Sequence, residues 1–393
     1  MGGLPLEGVT VIAVEQAVAA PYATRQLADL GARVVKVERT GVGDFARGYD
    51  TTVNGMASHF VWINRSKESL TLDLKRPEGR AILHRLLENA DVFIQNLAPG
   101  ATERLGFGAT PLLERHPRLI VCDLSGYGSS GPYRDKKAYD LLIQCEVGVP
   151  SITGTEETPS KAGISVADIA GGMAAYSAIL TALFQRERTA QGTHIEVSLF
   201  DALADWMGFP MYYTAYGGTA PARTGASHAA IAPYGPFAVS DGVVFLGIQN
   251  EREWVRFCAD VLAQPRLVTD ARFVTNAERV AHRDDLRAVI ETALSSLTAD
   301  DASAKLDAAS IANARLRTMQ EFIDHPQLAA RDRWREVDSP VGPIQALLPA
   351  ATIAGVEPRF DPIPAVGEHT DLILRELGYA NEDIVALRRG GVV

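Results

Sequence analysis

A chain of 393 residues with 47% apolar content can bury a large core, and its length suits one big domain or two of ordinary size. Its formal net charge of −10 argues against a general nucleic-acid binder, so any site for a phosphorylated ligand must be a local cluster of cations. Cys122, Cys145 and Cys258 sit in apolar surroundings without CxxC spacing, which argues against a disulfide framework or a zinc site and fits a reducing, cytoplasmic compartment. The opening stretch MGGLPLEGVTVIAVEQ lacks a basic segment ahead of an apolar one, and no run of 18 apolar residues is free of charge. Neither export nor membrane spanning is expected.

In chain order, VTVIAVE (9–15) reads as a buried strand, PYATRQLADLG (21–31) as a helix opened by Pro and closed by Gly, and ARVVKVE (32–38) as the next strand. The pattern continues with a strand at 69–74, a helix at 77–90, strands at 91–96 and 117–126, a long apolar helix near 168–186 and a strand at 193–200. Alternation of this kind predicts an α/β fold with a mostly parallel sheet and helices on both faces. Residues 208–237 are rich in Gly, Pro, Tyr and Ala without a regular period and read as a long connection. A hairpin around Asp241-Gly242 follows, then helices over roughly 250–325, a strand-and-loop stretch from about 330, and a last helix, TDLILRELG.

Most familiar chemistries find no support. The first βαβ turn, EQAVAAPYAT, lacks the G-x-G-x-x-G spacing of a dinucleotide site. SGYGSSGPY (125–133) follows a strand but lacks the Gly-Lys-Ser/Thr of a nucleotide P-loop; a structural turn and a ligand-contact loop both remain open for it. The eight histidines show no metal-ligand spacing, so no metal is predicted. The G-x-S-x-G elbow of a serine hydrolase is absent, and His194 and Glu196 read as strand-face residues. The stretch KAGISVADIAGGMAAY (161–176) sets a lone carboxylate, Asp168, at the start of a Gly-rich helix. As an N-cap, Asp168 would accept a backbone N–H of the first turn; as a nucleophile, it would sit at the positive end of a helix dipole that keeps it ionised. Composition does not separate the two.

The motifs LADLGARVVKVE, NRSKESLTLDLKRPEG, DVFIQNLAPGATERLGFG, LSGYGSSGPYRDKKAYD, ISVADIAGG, QGTHIEVSLFDA and GEHTDLILRELGY, in this order and spacing, carry a family likeness over nearly the whole length. The chain resembles the family III CoA-transferases (CaiB/BaiF-like), the formyl-CoA and carnitine CoA-transferase group, whose relatives include α-methylacyl-CoA racemases. The resemblance implies a large Rossmann-like domain from residues 1–205 and 330–393, a linker at 206–235 and a smaller α+β domain at 236–329. Two such ring-like chains would interlock as a homodimer, with an acyl-CoA site between domains. It also implies acyl-CoA and a small carboxylic acid as substrates, with no permanently bound cofactor, nucleic acid or membrane.

By this likeness Asp168 stands at the catalytic aspartate position. Its carboxylate would attack a thioester to give a mixed anhydride, then an aspartyl-CoA thioester, dividing one hard exchange into easier acyl transfers. The small residues Ile169, Ala170, Gly171 and Gly172 would let the thioester approach backbone N–H groups. Positions matching the family's CoA contacts are Arg39, Leu72, Lys75, Asn96, Arg104 and Lys137. Tyr139 stands where racemases carry a His, and a phenol is a poor base at neutral pH, which disfavours racemisation. Asp140 stands where formyl-CoA transferases carry a Glu, and either a supporting catalytic role or a turn cap fits it.

Substrate choice follows from the departures. Val18 replaces the Gln of the formyl-CoA branch, which disfavours oxalate, and LGIQNERE (246–253) is the nearest candidate for that branch's Gly-rich cover loop. The blocks around 15–50 and 231–254 look more like the transferases of C4–C5 dicarboxylates such as itaconate, mesaconate, citramalate and malate, with succinyl-CoA as donor. Arg47, Arg65, Arg223 and His228 are candidates by type for the acceptor's second carboxylate.

Overall fold

The computed structural model describes residues 3–393. Strands β1 (Thr10–Val14), β2 (Arg33–Glu38), β3 (Lys67–Thr71), β4 (Val92–Gln95), β5 (Ile120–Ser125) and β6 (Thr193–Ser198) form one sheet in the order β3-β2-β1-β4-β5-β6. All five pairings are parallel. Val and Ile dominate its centre because a parallel sheet covered by helices buries both faces. The strand order reverses at β1, where Val11 pairs with Val34 on one side and Val92 on the other. Loops leaving β1 and β4 therefore diverge and open a crevice at the carboxyl ends of the strands.

The helix Ala19–Asp29 starts with Pro21 in its first turn and ends before Gly31, whose φ of 107° suits glycine. The helix Pro77–Leu87 opens with Pro at its first position and Glu78 behind it. The C-terminal tail completes the other face: Ile373, Leu374, Ile384 and Val392 join Val35, Leu70 and Phe93 in one apolar cluster. Its final helix, Asn381–Arg389, was not expected from the sequence.

The helix Val166–Thr189 has the length and hydropathy to cross a membrane, which the search for uncharged apolar runs did not anticipate. It packs instead against the Ala19–Asp29 and Leu199–Trp206 helices and against β5 and β6. Arg186 near its end donates to the Asp91 carboxylate at 2.9 Å and to the Arg118 carbonyl at 3.1 Å. These are the contacts of a core helix.

The chain divides into two compact units, the first running through Val147, Gly163–Met207 and Ala330–Val393, the second Gly148–Ala162 and Gly208–Ala329. Residues 148–162, read from sequence with the large domain, thus group with the second unit. That unit carries an antiparallel sheet of β7 (Tyr234–Val239), β8 (Gly242–Gly247) and β9 (Ala312–Arg315), with Val239 opposite Gly242 at the hairpin. Trp254, Phe257, Phe273, Leu286 and Ile290 form its core. Residues 208–237, read as an irregular connection, contain the helix Gly208–Gly217. Its Gly, Pro and aromatic composition hid the period, and Pro210 is tolerated because it lies in the first turn.

Candidate active site

Asp168 lies in the first turn of the Val166–Thr189 helix, two residues after Val166, and is half-buried. The helix start has no cap of its own, since Ser165 at the cap position makes no side-chain bond. Asp140, first residue of the helix Asp140–Glu146, takes over that task. Its Oδ1 accepts the N–H of Ala167 at 2.7 Å and of Asp168 at 3.3 Å, while Oδ2 accepts Gln144 Nε2 at 2.7 Å. The capping carboxylate is therefore Asp140, which leaves the Asp168 side chain free.

No described residue donates a hydrogen bond to the Asp168 carboxylate. Burial, then the charge on Asp140, pushes its pKa up to about 7. The expectation that the helix N-terminus keeps Asp168 ionised is thus corrected. Asp140 occupies the helix N–H groups, and its own charge opposes a second one. A carboxylate without donors, in a partly dry site, is a stronger nucleophile than a solvated one.

Gly171 and Gly172 do not serve thioester approach. A Cβ on Gly171 would lie 2.5 Å from Leu199 Cδ2, and one on Gly172 would lie 2.6 Å from the Ala19 carbonyl oxygen. Both glycines exist for helix packing, and the N–H of Ile169 is already spent on Ser165 at 2.9 Å. Gly172 lies one turn beyond Asp168, so this close approach brings the start of the Ala19–Asp29 helix beside the carboxylate's helix face. No side chain caps that start, and the N–H groups of Val18, Ala19 and Ala20 stand at its open end.

Tyr139 is the cap-position residue of the Asp140 helix and is 65% exposed. Tyr49, which sequence reasoning missed, stands near by. Burial, then the charges of Asp44, Asp168 and Tyr139, push its phenol up to about 12. It remains a donor at neutral pH. Its only sequence signal was the GDFARGY run after β2, which carries no spacing rule.

A cleft of about 550 Å³ opens at the carboxyl ends of β1, β2 and β3, lined by Arg39, Leu72 and Lys75 among others. Leu72 is buried with its N–H on the Glu38 carbonyl, whereas Arg39 and Lys75 are exposed. Arg104 adjoins Leu105 of the same wall, and its guanidinium donates to the Pro99 carbonyl at 3.4 Å. Lys137 lies outside this cleft, in the loop leading to Tyr139; its neighbour Lys136 pairs with Glu146, and Lys137 stays exposed. Arg39, Lys75, Arg104 and Lys137 make no ion pair among the described residues. Asn96 is differently used. Its Oδ1 accepts the Gln16 N–H at 2.9 Å and its Nδ2 donates to the Gln16 carbonyl at 2.8 Å, tying β4 to the turn after β1.

Beneath the cleft runs an ion network that no sequence motif announces. Lys36 Nζ meets Asp44 Oδ2 at 2.8 Å and Glu15 Oε1 at 3.4 Å; Lys67 Nζ meets Glu15 Oε1 at 2.7 Å, the Pro21 carbonyl at 3.0 Å and Asn64 Oδ1 at 3.1 Å. Glu38 completes it with Arg47 and Ser69. Burial pulls the Lys67 ammonium down to about 8 despite Glu15. Burial acts the same way on Lys36, but Glu15, Asp44 and Glu38 outweigh it and raise its pKa. Burial raises Glu38, yet Arg47 and Lys36 hold it down at about 2. Three carboxylates face three cations, so the cleft floor is neutral and leaves the rim cations unspent.

The type-based candidates for the acceptor carboxylate are all engaged in structure. Arg47 is held bidentately by Glu38 and stacks 3.7 Å over Phe60; Arg65 is held bidentately by Asp29 and lies over Phe360. In the second unit, Arg223 donates to the Ser151, Thr155 and Glu156 carbonyls, and His228 stacks on Tyr234. The proposed cover loop at 246–253 is the end of β8 and a capped helix start, with Asn250 Oδ1 accepting the Glu253 N–H at 3.0 Å. His194 pairs with Asp123 at 2.7 Å across β5 and β6, as a strand-face residue does. Among the described residues no His, Cys, Asp and Glu cluster suits a metal ion.

A family model described as CoA-transferase family III matches residues 6–370. The acetyl-CoA:oxalate CoA-transferase of Acetobacter aceti is 36% identical over 84% of this chain and 85% of its own length. The succinate–glutarate CoA-transferase of Agrobacterium fabrum is 32% identical over 95% of this chain and 96% of its own. The crystal structure of a CAIB/BAIF family protein from Brucella suis has a TM-score of 0.83 at 32% identity, covering 96% of this chain and 100% of that one. Matched in sequence and in fold over nearly its whole length, this chain is a member of CoA-transferase family III.

Proposed function

We propose that the chain moves CoA from succinyl-CoA to a C4–C5 dicarboxylic acid, with Asp168 as the nucleophile. The observation that carries this reading is the Asp168 carboxylate, freed from capping by Asp140 and left without a donor. Asp168 Oδ attacks the thioester carbonyl carbon, the C–S bond breaks, and CoA thiolate leaves a mixed anhydride behind. The thiolate then attacks the Asp168 carbonyl of that anhydride, releasing the donor carboxylate and leaving an aspartyl-CoA thioester. The acceptor carboxylate attacks this thioester to form a second anhydride, and the thiolate takes the acceptor acyl group, restoring Asp168. No net proton is gained or lost, so the site needs neither a strong acid nor a strong base.

Each attack creates an oxyanion. The uncapped N–H groups at Val18–Ala20 and the protonated Tyr49 phenol are the donors suited to it, rather than residues 169–172. Tyr139 and Asp140 take the roles of site wall and helix cap. Arg39, Lys75, Arg104 and Lys137 are the cations for CoA's phosphates, Leu72 packs its apolar part, and Asn96 fixes the adjoining turn. The Agrobacterium relative's name pairs a C4 with a C5 dicarboxylate, which supports that acceptor class. The Acetobacter relative makes oxalate the competing acceptor, to be tested beside itaconate, mesaconate and citramalate. A cytoplasmic homodimer is part of the same reading. The exposed Phe209, Met211, Tyr212 and Tyr216 on one helix form an apolar surface of the kind that a partner chain covers.

The test is to incubate the enzyme with succinyl-CoA, trap with hydroxylamine or borohydride, and map the modified peptide by mass spectrometry. Modification of Asp168, lost in Asp168→Ala together with turnover against a dicarboxylate panel, is the expected result. An unmodified Asp168 in a turning-over enzyme would falsify the route.

A further inference from the structure

We infer that Asp44 and Asn96 are positioning residues that hold the turn after β1 in its reactive shape, from opposite sides of the point where strand order reverses. The turn is unusual. Ala17 has a φ of 60°, in the left-handed region that favours glycine, yet it carries a side chain. Such a conformation persists only where its surroundings over-determine it, and here the two peptide groups that lead into Ala17 are clamped. Asn96, just beyond β4, takes the Gln16 N–H and carbonyl at 2.9 and 2.8 Å. Asp44, in the loop after β2, takes the Ala17 N–H on Oδ1 at 3.0 Å and the Ala46 N–H on the same oxygen at 2.9 Å.

The second oxygen of Asp44 is held in turn. It meets Lys36 at 2.8 Å, and Lys36 reaches Glu15 at 3.4 Å, itself bound to Lys67 at 2.7 Å. Lys36, Lys67, Glu15 and Asp44 are all buried, so this chain of charges has no water to exchange with. It links the end of β1, the body of β2 and the start of β3 to the Asp44 carboxylate, and through it to Ala17. What the clamp controls is the direction of the next residues. Val18, Ala19 and Ala20 open the uncapped helix start that Gly172 brings beside the Asp168 helix, and Gln16 lines the acyl-CoA cleft. One turn thus sets both the cleft wall and the donors for the oxyanion. This inference rests on the proposed route through Asp168.

Four variants test it, with turnover, KM for the acyl-CoA, trapping at Asp168 and backbone hydrogen exchange of the 14–22 peptide as readouts. Ala17→Gly removes no charge and keeps the fold while loosening the turn; exchange rises and kcat falls about tenfold, with KM within about twofold. Asn96→Ala gives the same pattern. Asp44→Ala lowers kcat by about 100-fold, and Asp44→Asn, whose amide oxygen still accepts the two N–H groups but whose NH2 faces the buried Lys36 ammonium, recovers only part of it. Faster exchange with unchanged kcat in Ala17→Gly and Asn96→Ala overturns the inference, as does native exchange in both. If the parent enzyme leaves Asp168 unmodified while turning over, the route fails instead, and the exchange result still reports on the clamp.

Discussion

Asp140 accepts the backbone N–H of Asp168 at 3.3 Å, so two carboxylates share the start of one helix while only one of them binds it. The arrangement separates the roles that a lone N-terminal aspartate would combine. Asp140 takes the hydrogen bonds, and Asp168 keeps its lone pairs for chemistry. Their mutual repulsion adds to burial in pushing Asp168 up to about 7.

The activity should therefore follow the ionisation of Asp168. With the parent enzyme, kcat/KM is expected to rise with pH through about 7. Asp140→Asn keeps an amide oxygen for the Ala167 N–H but removes the charge, so the inflection moves to lower pH. A midpoint that stays in place in the variant would show that Asp140 acts on Asp168 by geometry alone.

Stability should respond in the opposite sense. Burial and Asp140 push the Asp168 carboxyl up to about 7 in the folded protein from its ordinary value of 3.8, so the native state holds the extra proton between those values. Stability then falls as pH rises from about 4 to 7 and stays lowered above. Asp168→Asn cannot ionise. Its gain over the parent is small at pH 4 and reaches about 1–3 kcal/mol at pH 8, after allowance for the partial solvent access of the site. Urea or thermal unfolding at both pH values measures it, and a gain equal at pH 4 and pH 8 counts against the assignment.

Gly172→Ala tests the helix contact. An added Cβ would meet the Ala19 carbonyl oxygen at 2.6 Å, and backbone cannot step aside as a flexible side chain would. The helices must separate, costing about 1–3 kcal/mol of stability and shifting the Val18–Ala20 donors away from Asp168. Activity is expected to fall by more than the loss of folded protein explains, checked by active-site titration with a trapped acyl group. Gly163→Ala, with open space around its Cβ, serves as the control.

Much of the sheet was legible because its period is local. Runs such as TVIAV and VFIQ announce buried strands, and Pro and Gly mark the helix from Ala19 to Asp29. Asp168 was visible as an oddity and acquired a role only through resemblance. The relationships around it were hidden because they join distant residues. Nothing near Asp140 says that it caps a helix 27 residues later, and Gly171 and Gly172 look alike whether they admit a ligand or a neighbouring helix. Lys36 sits in a strand pattern and Lys67 just ahead of one, and neither gives a hint of burial with Glu15. Arg47 and Arg65 looked like free cations until their carboxylate partners, Glu38 and Asp29, were placed beside them.

That last distinction yields a prediction about binding. Arg39 and Lys75 border the cleft without ion-pair partners among the described residues, so their charge is available to a ligand's phosphates. Arg47 is 13% exposed in its side chain and committed to the fully buried Glu38. Arg39→Ala and Lys75→Ala should each raise KM for the acyl-CoA by about tenfold, roughly 1.4 kcal/mol, with kcat little changed and the melting temperature preserved. Because both cations are exposed, the parent's KM should climb with added salt and the variants' less steeply. Arg47→Ala should behave differently. It strands a buried carboxylate, so it should cost about 3–5 kcal/mol of stability and show up first in the melting temperature. Steady-state kinetics at two salt concentrations, beside thermal unfolding of all three variants, separates the rim cations from the structural one; an Arg39→Ala enzyme with parental KM at low salt would remove that residue from the CoA site.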